Sequence, residues 1–351
     1  MNDAPGKRNA LLRIFGFIIC IMLLTVAVTV IVKPKRLENP YDITRKVRGF
    51  YAEPKDSLDF VFVGSSQAFA TIVPDVLWEE YGITSYVFGA NEQTFSLSYY
   101  YIMEALKYQN PKAIVLETTF CNWGDKPRES VVRINFDDMK WGKAKFLGIM
   151  NNTEPAEWEY YFFELFKYHS RWDSLTENDL SWSKIYTDAN EYKGWSEYGI
   201  PTDPDKSYGS NIPDSVLNCQ EEKPLNEDAV EWLDKIIRLC EEKQVDLILL
   251  KTPNNGKIIQ PVIEDEPEKI FEYIEGMAYY NTLETMAKEK GISFLNMNKI
   301  MPGTNHNDAA NARKATNYIG NWLKQHYEIE DKRNNLSYTY WNDAKGAHDE
   351  E

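Results

Sequence analysis

The chain of 351 residues contains 39 lysine or arginine residues and 54 aspartate or glutamate residues, which gives a formal net charge of -15 at pH 7. This charge repels nucleic acid and anionic lipid, so we expect no nucleic acid partner. Outside the N-terminal apolar segment there are three cysteines, Cys121, Cys219 and Cys240, an odd number without metal-ligand spacing. The sequence therefore favours neither a disulfide framework nor a zinc site, and we expect no metal and no other cofactor.

The first predicted element is a membrane anchor. Residues 14–32 carry no charge and are long enough for a helix of about 30 Å, which is one bilayer span. A cleaved signal peptide is the alternative, but the run is longer than a typical apolar h-region and no small-residue cleavage site follows it. We therefore expect residues 1–36 to form a cytoplasmic tail and a transmembrane helix. Basic residues flank the run on both sides, so charge alone does not fix its orientation.

The body, from residue 37 onward, alternates short apolar runs with helical patterns, which is typical of an α/β fold with a parallel sheet. Five strands and helices on both faces would make a flavodoxin-like three-layer sandwich spanning residues 37–330. The predicted strands are 59–64, 85–90, 112–118, 246–253 and 293–298, and the predicted helices are 74–81, 94–108, 226–243, 267–291 and 308–326.

Two stretches depart from this alternation. Residues 121–224 have no clear period and are rich in aromatic side chains, so we interpret them as a partly helical insertion packed over the active edge of the sheet. Most of these aromatics would be core residues, and some would line a cleft. Residues 331–351 lack apolar periodicity and are predicted to be a peripheral C-terminal tail.

The residues most suited to chemistry follow the first strand. The run FVFV is followed by Gly64, Ser65 and Ser66, so two serines lie at the carboxyl end of a predicted buried strand, where α/β sheets bind ligands. His306 precedes the last helix and could act as the base for a serine nucleophile. Gly89 ends the second strand and could offer an oxyanion donor. An ordinary turn or helix N-cap and a structural histidine are the alternative interpretations.

The same pieces, in the same order, resemble an SGNH (GDSL-type) hydrolase. More narrowly, the chain is similar to the membrane-anchored extracytoplasmic branch associated with acyl modification of bacterial surface polymers. The matching segments are FVFVGSSQAFATIVPDVLWEEYGI, SYVFGANEQTFSLSYYYIMEALKYQNPKAIVLET, YHSRW at 168–172 and NHNDAANARKATNYIGNWL.

The resemblance implies a role for each of several residues. Ser66 would be the nucleophile and His306 the base, while the oxyanion donors would be the Ser66 backbone N–H, Gly89 and an asparagine. Asn91 and Asn122 are candidates for that asparagine. His169, Arg171 and Trp172 would line the substrate cleft, although His169 could equally be a structural histidine.

The histidine segment departs from the family pattern. Gly303 stands three residues before His306, where the family has an aspartate that orients the imidazole. Asp308 follows His306 by two residues and is better suited to capping the next helix. Lys251 at the end of the fourth strand could hold an anionic group, although a solvated lysine is the simpler interpretation.

These expectations combine into one functional prediction and one alternative. The prediction is an extracytoplasmic O-acyltransferase or esterase that acts on a cell-envelope polysaccharide through a Ser-His site, impaired if nothing replaces the missing aspartate. A transferase would need a membrane-bound O-acyltransferase as a partner to supply the acyl group. The alternative is a non-catalytic carbohydrate-binding or assembly protein on the same fold.

Overall fold

A five-stranded parallel sheet organises the body of the protein. The computed structural model describes residues 5–38, 42–124, 126–182, 184, 189–196, 212–253, 263, 266–301 and 309–344, with side chains from residue 9 onward. The strands are β1 (Phe60–Val63), β2 (Ser85–Val87), β3 (Ala113–Glu117), β4 (Asp246–Lys251) and β5 (Ser293–Asn296). They lie in the order β2-β1-β3-β4-β5, and every neighbouring pair is parallel. The prediction of an α/β fold with a five-stranded parallel sheet is confirmed.

The strand order creates a switch point in the sheet. The chain passes from β1 to β2 on one side and then returns past β1 to β3 on the other side. The carboxyl ends of β1 and β3 therefore border the crevice in which sheets of this type bind ligands. In the register of this pair, Val63 lies opposite Leu116, so Gly64 and Glu117 are the next residues along the two chains.

The sheet is buried because helices pack beside its strands. β1, β2 and β3 are buried at every residue, as expected for parallel strands covered on both faces. The helices from residue 43 onward are α2 (Ile43–Phe50), α3 (Ser66–Thr71), α4 (Pro74–Tyr81), α5 (Phe95–Tyr108), α6 (Glu129–Phe136), α7 (Lys143–Asn152), α8 (Trp158–Phe162), α9 (Glu164–Tyr168), α10 (Glu177–Leu180), α11 (Asp214–Leu217), α12 (Glu227–Lys243), α13 (Ile270–Glu289), α14 (Met297–Ile300) and α15 (Ala309–His326).

Helix ends follow ordinary capping chemistry. Pro74 occupies the first turn of α4, where a missing N–H costs nothing, and Gly82 ends this helix in the left-handed conformation at φ 66°. The Asn226 side chain caps α12 by accepting a hydrogen bond from the Asp228 N–H at 2.9 Å.

The N-terminal helix α1 (Pro5–Val32) projects from the body. Its part from Asn9 to Val32 is long and apolar enough to cross a membrane, and no residue of its most apolar window is buried. Only the last turn is covered by protein, and Val32 is buried. The expectation of a membrane-spanning helix is confirmed to this extent.

The described part of the C-terminal segment, residues 331–344, packs against the body and so corrects the expectation of a peripheral tail, whereas residues 345–351 lie outside the described residues. Short 3-10 helices cover Lys332–Asn334 and Leu336–Asp343, and they pack against the body. The Trp341 side chain is fully buried, with its ring 5.7 Å from that of Trp78. Lys332 forms an ion pair with Asp59 at 2.8 Å, just before β1. A single buried tryptophan anchors this segment without any apolar period, which is why the sequence pattern missed it.

Candidate active site

A sharp turn carries the chain from β1 into α3. β1 ends at Val63, and α3 begins at Ser66, which leaves only Gly64 and Ser65 between the two elements. Gly64 has φ +157°, and a Cβ atom there would lie 2.5 Å from the Glu117 Cβ. Glycine is therefore required where the end of β1 passes the end of β3.

The two serines of this turn have different environments. Ser65 is completely buried; its hydroxyl donates to Glu117 Oε2 at 2.7 Å and accepts from the Gln67 N–H at 3.2 Å. Ser66 begins the helix and is only partly buried. Ser66 is therefore the more exposed of the two serines.

Glu117, which the sequence analysis did not single out, holds this turn in place. Its second oxygen, Oε1, accepts the Thr119 N–H at 2.8 Å and also contacts the Thr119 hydroxyl. The carboxylate thus joins the end of β3 to the end of β1 across the switch point. A charged residue at the end of the apolar run AIVLE was the sequence signal for it.

Gly89 lies beside the turn. The Ala90 N–H donates to the Gly64 carbonyl at 3.3 Å, and a Cβ atom on Gly89 would lie 2.2 Å from that same oxygen. The close approach of the chain after β2 to the chain after β1 therefore requires glycine at position 89. Its role as an oxyanion donor stays a prediction.

The two candidate asparagines differ in how far they are already engaged. The Asn122 side chain accepts the Asn226 N–H at 2.7 Å and so fixes the start of α12. The Asn91 backbone carbonyl accepts from the Asn135 amide at 3.1 Å, whereas its side-chain Oδ1 is buried and has no hydrogen-bond partner among the described residues. The unpaired Asn91 atom is an acceptor, whereas an oxyanion would be held by the amide Nδ2, so this atom does not by itself favour Asn91 for that role.

The predicted base, His306, lies outside the described residues, and so do Gly303 and Asp308. The helix that follows them is described. α15 begins at Ala309 and packs against α3 and α4. The buried Thr316 hydroxyl donates to the Thr71 carbonyl at 3.0 Å and accepts the Val73 N–H at 3.1 Å. The element that directly follows the histidine segment is thus fastened to the helix that begins with Ser66.

The segment predicted to line the cleft lies against the end of α1. The exposed His169 ring is 3.0 Å from the Phe166 carbonyl, and Trp172 is largely exposed. Arg171 donates to the Val32 carbonyl at 2.6 Å and pairs with Asp179 at 3.3 Å. These contacts account for Arg171 as a link between the body and α1, and they join none of the three residues to the serine turn.

Lys251 corrects the expectation of a solvated strand-end lysine. It is buried at the end of β4, where its Nζ donates to the Thr252 carbonyl at 2.7 Å and lies 5.2 Å from the centre of the Tyr280 ring. Burial lowers the Lys251 pKa to about 8, although the nearby Glu117 charge favours the protonated form. The sheet edge therefore holds a buried lysine that gives up its proton more readily than a solvated one.

Two further residues complete this edge. Asn296 ends β5 opposite Lys251, is buried, and has no hydrogen-bond partner for either side-chain amide atom among the residues that the structure describes. Cys121 is also buried, and burial raises the pKa of its thiol to about 12. This cysteine is therefore a poor nucleophile, which leaves the serine turn as the stronger candidate.

The chain matches no protein-family model, and no curated protein is significantly similar to it.

Proposed function

We propose that the protein is a membrane-anchored serine esterase or O-acyltransferase of the SGNH type. The observation that carries the proposal is the pair of serines at the switch point. Ser65 is buried and bonded to Glu117, while the next residue, Ser66, opens a helix and remains partly exposed. A rigid turn that presents one hydroxyl at the carboxyl edge is what a nucleophile needs.

In this proposal His306 removes the proton of the Ser66 hydroxyl, and Ser66 then attacks the carbonyl carbon of an acyl ester. The resulting oxyanion is held by the Ser66 backbone N–H, by Gly89 and by Asn91. Collapse of the oxyanion breaks the ester C–O bond, His306 returns the proton to the leaving alcohol, and the acyl group stays on Ser66. The acyl group then passes to water in an esterase or to a sugar hydroxyl in a transferase, which releases Ser66. The attachment of α15 to α3 supports the proximity of His306 to Ser66, because α15 begins three residues after His306.

The substrate and location belong to the same proposal. We infer a cell-envelope polysaccharide as the acceptor or substrate, a body outside the cytoplasm, and a membrane-bound O-acyltransferase as the partner of a transferase. The exposed apolar helix α1 supports the anchor. We also propose flavodoxin-like layering for the body, with residues 121–224 as an aromatic-rich insertion; the strand order β2-β1-β3-β4-β5 supports the layering.

The first test measures hydrolysis of a small activated acetyl ester. The wild type should be slow, and Ser66→Ala should lower the rate to that of the ester in buffer. Gly303→Asp should raise the rate by about tenfold or more, because a carboxylate three residues before His306 can orient its imidazole.

Gln67→Ala is the matched control, since Gln67 is the next residue of the same helix and is also partly buried. Its rate should equal that of the wild type. A fast wild-type rate that Gly303→Asp leaves unchanged would show that another residue already orients His306. A wild-type rate that persists in Ser66→Ala would refute the proposed nucleophile.

A further inference from the structure

Three short elements fasten the body to the end of α1. They are α9, the 3-10 helix His169–Asp173, and α10, and all three contact α1. Each contributes one bond to the residues at or just after the end of the helix. Glu164 pairs with Lys33 at 3.0 Å, Arg171 donates to the Val32 carbonyl at 2.6 Å, and Asp179 pairs with Lys35 at 3.5 Å.

These bonds fix the depth of the three elements relative to a bilayer. The α1 residues before Thr29 are almost all exposed, residues 29–31 are partly covered, and Val32 and Lys33 are buried. If α1 spans the hydrocarbon core, its last turn lies at the boundary with the headgroups. The elements bonded to residues 32–35 then lie at that same boundary.

Each bonded residue has a large, exposed apolar neighbour in the chain. Phe163 precedes Glu164, Trp172 follows Arg171, and Leu180 follows Asp179. Phe163 is 63% exposed, Trp172 72% and Leu180 65%, and Phe166 adds a ring 5.7 Å from that of Phe163. We call Phe163, Phe166, Trp172 and Leu180 the interfacial patch.

Exposed apolar side chains are concentrated in this region of the body. Among the described residues outside α1, twelve large apolar side chains are exposed, and eight of them lie between Trp141 and Trp182. A concentration of this kind marks a surface that water does not normally cover. Tryptophan favours the headgroup layer beside a membrane span, because its apolar ring carries a polar N–H, and phenylalanine and leucine add apolar area that the same layer can bury.

The basic residues that bond these elements to the end of α1 are already paired within the protein. Lys33 and Lys145 share Glu164, and Lys35 and Arg171 share Asp179. These basic residues therefore do not attract the patch to anionic lipid. Its contact with a membrane would be apolar and would tolerate salt and zwitterionic lipid.

We propose that the interfacial patch inserts into the headgroup layer of the bilayer that α1 crosses, and so holds the body against the membrane at a second point. The occupant is lipid rather than another protein, because the three elements that carry or adjoin the patch contact the emerging end of α1. This proposal rests on the membrane anchor and not on the proposed chemistry.

The test measures the depth of a fluorescent label in the full-length protein, reconstituted into phosphatidylcholine vesicles that contain spin-labelled quencher lipids. The label is placed at Trp172→Cys in a Cys20→Ala background, since Cys121, Cys219 and Cys240 are buried. Phe271→Cys is the matched control, because Phe271 is 70% exposed and lies on α13, which packs against β5 and α11. Labelled Cys20 in the otherwise wild-type chain reports whether α1 is embedded.

We expect lipid quenchers to quench the label at position 172 several-fold more than the label at position 271, with no effect of high salt. Quenching at Cys20 but equal, weak quenching at positions 172 and 271 would overturn the patch while leaving the anchor intact. Absence of quenching at Cys20 would overturn both. A label at position 172 that is shielded only in native membranes, and not in pure lipid, would assign the patch to a protein partner and also overturn the proposal.

Discussion

At the scale of single residues, Ser65 and Ser66 illustrate how neighbouring hydroxyls acquire different roles. The Ser65 hydroxyl is buried and satisfies Glu117 Oε2, so it stabilises the turn. The resemblance to a GDSL-type hydrolase implies Ser66 as the nucleophile, and burial independently removes Ser65 from reach of a substrate. The partner of Ser65 could not be predicted, because it lies 52 residues away and depends on the packing of β1 beside β3.

Removing the Ser65 hydroxyl should destabilise the fold. Ser65→Ala leaves a buried carboxylate oxygen of Glu117 without this donor, so we expect a loss of about 1 to 3 kcal/mol in the free energy of unfolding. Chemical denaturation in detergent, followed by tryptophan fluorescence, measures it. Ser66→Ala, at the partly exposed neighbour, should lose much less. Equal stability of Ser65→Ala and the wild type would contradict the structural role of this hydroxyl.

Lys251 should make stability depend on pH. Its pKa is lowered from 10.5 to about 8 in the folded protein, so between pH 8 and 10.5 the unfolded chain binds the proton more readily than the folded one. Stability therefore gains from this group as the pH rises through that window. Lys251→Met removes the gain, so the stability of the variant relative to the wild type should fall by on the order of 3 kcal/mol between these pH values.

The control for this pH dependence is Lys55→Met, because the Lys55 side chain is largely exposed. Its stability relative to the wild type should not change over the same pH range. If the stability of Lys251→Met relative to the wild type is as independent of pH as that of Lys55→Met, then the Lys251 ammonium group is solvated in solution.

At the scale of elements, the sequence predicted the sheet well and the connections poorly. The five predicted strands all occur, because buried parallel strands are continuous apolar runs that end at turn residues. Each was predicted slightly too long; the run 246–253, for example, ends as a strand at Lys251. Helix α2 and the helices α6 to α10 were not predicted individually. Each of these helices has ten residues or fewer, which is too short for an apolar period to be recognised in a window of 11 to 18 residues.

The contact between α15 and the end of α3 offers a prediction at this scale. Thr316→Val keeps the side-chain volume but removes the hydroxyl that bonds the Thr71 carbonyl and the Val73 N–H. We expect a loss of about 1 to 3 kcal/mol in stability, because two buried backbone groups lose their partner. Esterase activity measured well below the unfolding temperature should also decrease, since α15 carries the His306 segment at its start.

The matched control is Thr282→Val on α13, whose hydroxyl bonds backbone carbonyls on a helix that does not adjoin the serine turn. It should reduce stability without reducing activity at low temperature. If both variants lose activity to the same extent, the decrease follows from lower stability, and the α15 contact has no specific part in the chemistry.

At the scale of the whole molecule, the candidate active site and the junction with α1 are formed by different residues. The carboxyl edge of the sheet holds Ser66, Glu117, Lys251 and Asn296, whereas the segment around Arg171 joins the body to α1. Arg171 and Trp172 were predicted to line the cleft from the resemblance carried by the segment YHSRW. The contact of Arg171 with Val32 depends on how α1 leaves the body, and no local pattern encodes that geometry.

The central claim is that Ser66 is a nucleophile, and covalent trapping tests it most directly. The full-length protein is treated with an alkyl fluorophosphonate, and peptide mass spectrometry locates the adduct. We expect one adduct on Ser66, retained in Gln67→Ala, absent in Ser66→Ala and formed faster in Gly303→Asp. An unmodified Ser66 in both the wild type and Gly303→Asp, or an adduct that survives in Ser66→Ala, would contradict the account.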